Sequence, residues 1–188
     1  MPLIIGLSGK ACAGKDTLAD PHFTIHGYKR MSFAEVLKET CQRLFKLTKE
    51  QTDGRKKDEI DKRYNLTPRD ILVRVGNFCR LIDPNIWVRL LMEKIDALPA
   101  ETRVVITDVR YTNEANAIRE KDGVLIRLER HPSRDKMVDA NAQYELSETD
   151  LDNYPFFDMK LEANQNENPQ DLEKFAYKVH EYIARREQ

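Results

Sequence analysis

The chain has 188 residues, enough for one domain with a sizeable core. Its 31 Lys plus Arg against 32 Asp plus Glu leave a formal net charge of −1. That balance excludes a general electrostatic attraction to nucleic-acid polymers or membrane surfaces, although local basic clusters can still hold small anions. The three cysteines, Cys12, Cys41 and Cys79, are odd in number and widely spaced, which fits reduced thiols rather than a disulfide framework. No window approaches the roughly 18 apolar residues of a membrane span, and the chain starts on its first strand with no room for a signal peptide, so a soluble cytoplasmic protein is expected.

The apolar run Leu3-Ile4-Ile5-Gly6-Leu7 leads directly into Gly9-Lys10-Ala11-Cys12-Ala13-Gly14-Lys15-Asp16-Thr17. Two glycines four residues apart, then a lysine, between a strand and a helix, form a phosphate cradle. Backbone N–H groups converge on the anion, the helix N-terminus adds partial positive charge, and the ammonium reaches the outer phosphates. Asp16 stands where this motif ordinarily has a hydroxyl for magnesium, with Thr17 one residue later. Both are therefore the candidate metal contacts, through water.

The helix opened here is expected to run from Asp16 to about Ile25, kinked or shortened at Pro21. A turn and short strand follow at Gly27–Ser32. From Phe33 a helix carries Val36, Leu37, Cys41, Leu44 and Phe45 at helical spacing. The polar stretch from Thr48 to Asn65 reads as a solvated, mobile helical excursion.

Thr67-Pro68 are the N-cap and first residue of another helix, with Ile71, Leu72, Val75, Phe78, Cys79 and Ile82 on one apolar face. Arg69, Gly76 and Arg80 share a different face, where two guanidinium groups and a gap suit an anion or are simply surface arginines. Asp83-Pro84 begins the next helix, and its Trp87 reads by itself as core.

Thr102–Asp108 is a second buried strand ending on a carboxylate, with Arg110 two residues on. Ligands of doubly wound sheets sit beyond the carboxyl ends of the strands. Asp108 is thus a candidate for contact with metal-bound water or substrate, a helix cap being the alternative. A helix over Asn113–Lys121 and a strand over Val124–Leu128 follow.

Arg130 and Arg134 emerge after that strand in a polar stretch running to Asn153, which suits a closing lid or a charged surface loop. Ser147-Glu148-Thr149-Asp150 looks like a helix start. Phe156–Leu161 is a last strand, and Pro169 opens a terminal packing helix. Five strands alternating with helices predict an α/β fold, a five-stranded parallel sheet flanked by helices. The expected layout is a single P-loop kinase domain over 1–188, with a substrate-binding helical excursion over about 33–98 and a lid over about 130–153. His22 and His26 lack a third ligand and read as structural.

Arginines at Arg69/Arg80, Arg110 and Arg130/Arg134 exceed what a nucleoside triphosphate needs. Joining two anionic substrates requires their repulsion to be offset, and an ionised phosphate nucleophile needs no strong base.

On Ser8-Gly9 through Thr17, Ser32-Phe33-Ala34 with Leu37-Lys38, Thr67-Pro68-Arg69, Gly76 with Arg80, Asp83-Pro84-Asn85-Ile86-Trp87, and Asp108-Val109-Arg110-Tyr111-Thr112-Asn113-Glu114-Ala115, the chain resembles the phage-type deoxynucleoside monophosphate kinases. The resemblance covers nearly the whole chain. It departs at Pro21, at Val73-Arg74-Val75, and at Glu145 before Leu146-Ser147-Glu148, where the family often carries a histidine.

The resemblance implies ATP as phosphoryl donor with Mg²⁺, and a deoxynucleoside monophosphate as acceptor. It places Lys15 and the loop on the ATP phosphates, and Lys38, Arg69, Trp87, Asp108, Arg110 and Glu114 around the monophosphate. Arg130 and Arg134 fall to the lid, and Asn164 to the loop near the adenine. Gly-Lys-Asp-Thr also occurs in animal-type phosphomevalonate kinases, so another small phosphorylated acceptor stays open, as does a nucleotide-binding module without transfer. The expected location is the cytoplasm, that of the host for a phage-encoded chain. Oligomeric state is not legible, a homodimer being one option.

Overall fold

The computed structural model describes residues 1–10, 13–20, 22–130, 145–163 and 169–186. Strands β1 (Leu3–Ser8), β2 (Tyr28–Met31), β3 (Arg103–Val109), β4 (Val124–Arg130) and β5 (Met159–Ala163) form one parallel sheet in the order β2-β3-β1-β4-β5. The inner strands are continuous apolar runs because both faces are covered: Ile4, Ile5, Leu7, Val104, Val105, Ile106, Leu125 and Ile126 are all buried. Edge strand β2 is instead only half covered, with Tyr28 and Met31 buried at its ends and Lys29 and Arg30 exposed between them.

Helices α1 (Lys15–Ala19) and α8 (Pro169–Arg186) share a core with the sheet, through Leu18, Leu172, Phe175, Val179 and Ile183, with Phe23 from the turn after α1. Helix α6 (Thr112–Glu120) packs on β1 and β4 so closely that a Cβ at Gly6 would lie 2.6 Å from Ile118 Cδ1. Helix α7 (Glu145–Thr149) precedes a turn pinned by buried Leu151 and Tyr154. No described helix is long and apolar enough to cross a membrane.

By internal contacts the chain divides into two compact units, one of Met1–Ser32 with Ile95–Gln188 and one of Phe33–Lys94. The second contains α2 (Ala34–Phe45), α3 (Lys49–Thr52), a 3-10 turn at Arg55–Asp58, α4 (Pro68–Ile82) and most of α5 (Ile86–Asp96). Its core is Leu37, Cys41, Leu47, Ile71, Leu72 and Trp87. Reciprocal caps start two of its helices: Thr67 Oγ1 accepts from Asp70 N at 3.1 Å, while Asp70 Oδ2 accepts from Thr67 N at 3.1 Å. Thr48 and Gln51 repeat the arrangement at α3.

Several boundaries differ from the sequence expectation. The first helix ends at Ala19, because Asp20, which precedes a proline, is extended (φ −103°, ψ 112°). Helix α5 starts at Ile86, since Asp83 is extended and its Oδ1 accepts from Asn85 N at 2.9 Å. Strand β5 begins at Met159; the aromatic rings before it meet edge to face instead, Tyr154 against Phe156 and Phe157.

The 48–65 stretch is pinned rather than freely solvated. The Asp61 carboxylate accepts from Arg63 and Gln51, Asp61 bridges Leu66 in antiparallel fashion, and Thr52 is fully buried. The apolar face of α4 runs past its packing partners, leaving Phe78 and Ile82 62% and 73% exposed.

Candidate active site

Beyond the carboxyl ends of β1, β3 and β4, three chain segments meet around the glycine loop. Gly9 and Gly14 hold φ of 153° and 97°, which lets the loop leave β1 and enter α1 without a Cβ in the way. The need at Gly9 is also steric, because a Cβ there would lie 2.4 Å from the Leu128 carbonyl oxygen. Inside the loop Ala13 N bonds Lys10 O at 3.2 Å, and Leu18 N closes the first helical turn on Gly14 O at 2.8 Å.

Lys15 folds back over this loop. Its Nζ donates to Gly9 O at 2.6 Å and Lys10 O at 2.8 Å, with the residue only 7% exposed. Burial, and then the cation of Arg110, lower its pKa from 10.5 to about 8. Glu148 and Asp16 act in the opposite direction, and Arg127 adds to the lowering. Lys15, Arg110, Arg127, Glu148 and Asp16 therefore share one electrostatic environment. An ammonium held among two arginines and burdened by burial gains from any dianion that arrives.

Arg110 follows β3 and pairs through Nη1 with Glu148 Oε1. Asp108 is half-buried near the end of β3. One extra residue there shifts the register with β1, where Gly6 pairs Ile106 but Ser8 pairs Val109. Glu114 is buried, and its Oε2 accepts from Arg110 N at 2.8 Å and Tyr111 N at 3.1 Å, anchoring the start of α6. Its carboxylate thereby orients the backbone that carries Arg110.

Asp16 and Thr17 are exposed in the first turn of α1, and Arg30 of β2 forms ion pairs with both Asp16 and Asp20. Among the described residues no cluster of three or more His, Cys, Asp or Glu is gathered for a metal. Hard oxygen donors at an exposed helix start fit an ion that brings its own waters and phosphate ligands, the usual way magnesium is held in phosphoryl transfer.

Four further residues singled out from the sequence, Lys38, Arg69, Arg80 and Trp87, lie in the 33–94 unit. Arg69 forks onto Asp58, with Nη2 to Oδ2 at 3.1 Å, and Lys38 Nζ donates to Asp53 at 2.6 Å. Each cation lowers the pKa of its carboxylate partner. Arg80 runs alongside Gly76, and Trp87 is buried in that unit's core with Nε1 donating to Gly76 O at 3.3 Å. Ala11, Cys12, Pro21, Arg134, Asn164 and most of the expected lid lie outside the described residues, as does the side chain of Arg130.

Sequence reading quoted Ser8 only as the start of the loop motif, without a role of its own, and did not pick out Arg127 or Asp152. Arg127 Nη1 donates to buried Ser8 Oγ at 3.1 Å and Nη2 to Asp152 Oδ1 at 2.7 Å, while Asp152 Oδ2 also pairs Lys10 at 3.1 Å. The available signal was an arginine inside the otherwise apolar run of β4, a position that demands a buried counter-charge.

The order β2-β3-β1-β4-β5, with a glycine loop and a lysine-led helix after β1, defines a P-loop kinase architecture, and solved structures agree. TT1252 from Thermus thermophilus superposes with a TM-score of 0.55 at 17% identity, over 97% of this chain and 98% of that one. Dephospho-CoA kinase from Campylobacter jejuni gives 0.54 at 16% over all of both chains. A gluconokinase from Sinorhizobium meliloti 1021 gives 0.51 at 14%, over 100% and 98%. At these identities the likeness concerns the fold alone.

A curated protein of Acanthamoeba polyphaga mimivirus, "Putative deoxynucleotide monophosphate kinase", is 35% identical over 147 residues, 68% of this chain and 74% of that one. The chain therefore belongs to the deoxynucleotide monophosphate kinase family and is a kinase. No family model matches it.

Proposed function

We propose that this chain transfers the γ-phosphoryl group of ATP to a deoxynucleoside 5′-monophosphate, giving ADP and the deoxynucleoside diphosphate. The observation that carries the reading is Lys15, buried on the glycine loop within the field of Arg110 and Arg127. Family membership and the name of the viral relative support the acceptor class.

In this reading the loop from Gly9 to Thr17 cradles the donor phosphates, and Lys15 exchanges its two carbonyl acceptors for phosphate oxygens. Arg110, held by Glu114 through the backbone, neutralises the acceptor phosphate and the charge passing between the two substrates. Asp108, at the strand end, orients acceptor or metal-bound water. An attacking phosphate oxygen is already ionised, so positioning and charge neutralisation carry the rate. Magnesium, met by Asp16 and Thr17 through water, would supply charge compensation on the donor phosphates. The assignments of Lys38, Arg69, Arg80, Trp87, Glu114, Arg130, Arg134 and Asn164 to nucleotide binding follow the family resemblance and are to be tested by substitution.

The experiment is ADP release with a panel of deoxynucleoside monophosphates alongside phosphomevalonate. Turnover above the ATP-only background with a deoxynucleotide is expected. Activity with phosphomevalonate alone would reassign the acceptor, and none with any acceptor would overturn transfer altogether.

A further inference from the structure

The stretch from α7 to the following turn places three carboxylates on four donors around the candidate site. Glu148 pairs with Arg110. Asp150 Oδ2 accepts from Thr112 N, the first residue of α6, at 2.6 Å. Asp152 accepts from Arg127 at 2.7 Å with one oxygen and pairs with Lys10 of the glycine loop at 3.1 Å with the other.

The spacing 148, 150, 152 is held by packing between the charges. Leu151 is buried, Asp152 N closes a turn on Thr149 O at 2.9 Å, and the hydroxyl of buried Tyr154 donates to Asn116 Oδ1 at 2.7 Å. One short segment thus spreads three negative charges over the segment after β3, the start of α6, the glycine loop and β4. A phosphate-binding site offers those same kinds of group, guanidinium, ammonium and helix N-terminal N–H, to phosphate oxygens.

We propose that Glu148, Asp150 and Asp152 are an internal counter-anion, competing with substrate phosphates for Arg110, the α6 N-terminus and the Lys10–Arg127 pair. This deepens the kinase reading and rests on its assignment of the loop to ATP. The carboxylates keep a dense cationic site neutralised, and each phosphate gained displaces one of them. Binding affinity is thereby lowered, and the segment is released as the phosphates settle. Because the contacts are ionic and partly exposed, the competition weakens with salt.

The test is binding of ATP alone and of a deoxynucleoside monophosphate alone by calorimetry, at low and high ionic strength, for the unaltered chain, Glu148→Gln, Asp152→Asn and Glu181→Gln. The last carries the same charge change on α8, where Glu181 pairs with Arg185. The two isosteric amides act on different cations, so misfolding of one, checked by thermal unfolding, leaves the other decisive.

Monophosphate binding about two- to fivefold tighter in Glu148→Gln, and ATP binding similarly tighter in Asp152→Asn, is expected at low salt, converging at high salt, with Glu181→Gln unchanged in both. Unchanged or weaker binding in both site variants overturns the proposal, because the carboxylates would then be holding the cations in place for the ligand. An equal gain in Glu181→Gln overturns it too, leaving only net charge. Failure of the unaltered chain to bind ATP sinks the kinase reading with it, whereas failure of the variants alone leaves that reading standing.

Discussion

Arg127 and Ser8 lie 119 residues apart in the chain, yet Nη1 of the arginine donates to the serine hydroxyl at 3.1 Å. The side chain of Arg127 is only 8% exposed, its second nitrogen bonds Asp152, and its guanidinium carbon lies 5.9 Å from the Phe157 ring centroid. The last residue of β1, from which the phosphate loop departs, is therefore held by a buried cation of the neighbouring strand.

Replacing Arg127 by Met should cost about 1–3 kcal/mol, because buried Ser8 loses this donor and Asp152 is left with Lys10 alone. Arg127→Lys should recover less than half of that loss, since one ammonium cannot fork to both partners. Urea denaturation of the two variants measures it; wild-type stability in the lysine variant would show that only charge matters there.

The pH dependence of Lys15 has a definite sign. Its pKa is lowered from 10.5 to about 8 by burial and then by Arg110, so between those values the unfolded chain binds the extra proton. Stability gains from this group as pH rises through that window, and at pH 7 the buried charge opposes folding. Lys15→Met should therefore be more stable than the parent at pH 7 by roughly 1–3 kcal/mol, while losing most of its turnover. Thermal unfolding at pH 7 and pH 10 checks this, with the difference between the two proteins shrinking at the higher pH.

The two loop glycines should respond unequally to alanine. At Gly9 a Cβ would meet the Leu128 carbonyl oxygen at 2.4 Å, whereas at Gly14 the nearest atom is 3.7 Å away and only the positive φ is strained. Gly14→Ala is expected to cost about 1–2 kcal/mol, and Gly9→Ala clearly more, with loss of nucleotide binding. Midpoints of thermal unfolding rank them; equal losses would mean that the backbone at Gly9 relaxes.

The thiols of the 33–94 unit should differ in reactivity. Cys41 is fully buried and its pKa is pushed up to about 11, first by burial and then by neighbouring Cys79, which is half-buried. Iodoacetamide at pH 8 should modify Cys79 at least about tenfold faster than Cys41, read by peptide mass spectrometry. Comparable rates would indicate that this core opens readily.

Much of the architecture was legible because its signals are local. Apolar runs marked β1, β3 and β4, since strands covered on both faces are mostly apolar, with Ser8, Thr107 and Arg127 as buried exceptions. The Gly9–Thr17 spacing marked the phosphate loop, and Thr67-Pro68 marked the start of α4. Such features depend on a few consecutive residues and the period of their own element. Periodicity shows which residues share a face but not how much of it is covered: of the apolar face of α4, Phe78 and Ile82 are largely exposed.

What only the tertiary structure decided is who meets whom. The sequence offered Arg110, Glu148, Arg127 and Asp152 as scattered charges, with no period linking them. The strand order β2-β3-β1-β4-β5 brings β3 and β4 to either side of β1, and the packing of Leu151 and Tyr154 seats the acidic turn against them. Charges pair through space at separations fixed by the sheet, so their partnerships are written in the topology and not in the spacing of residues along the chain.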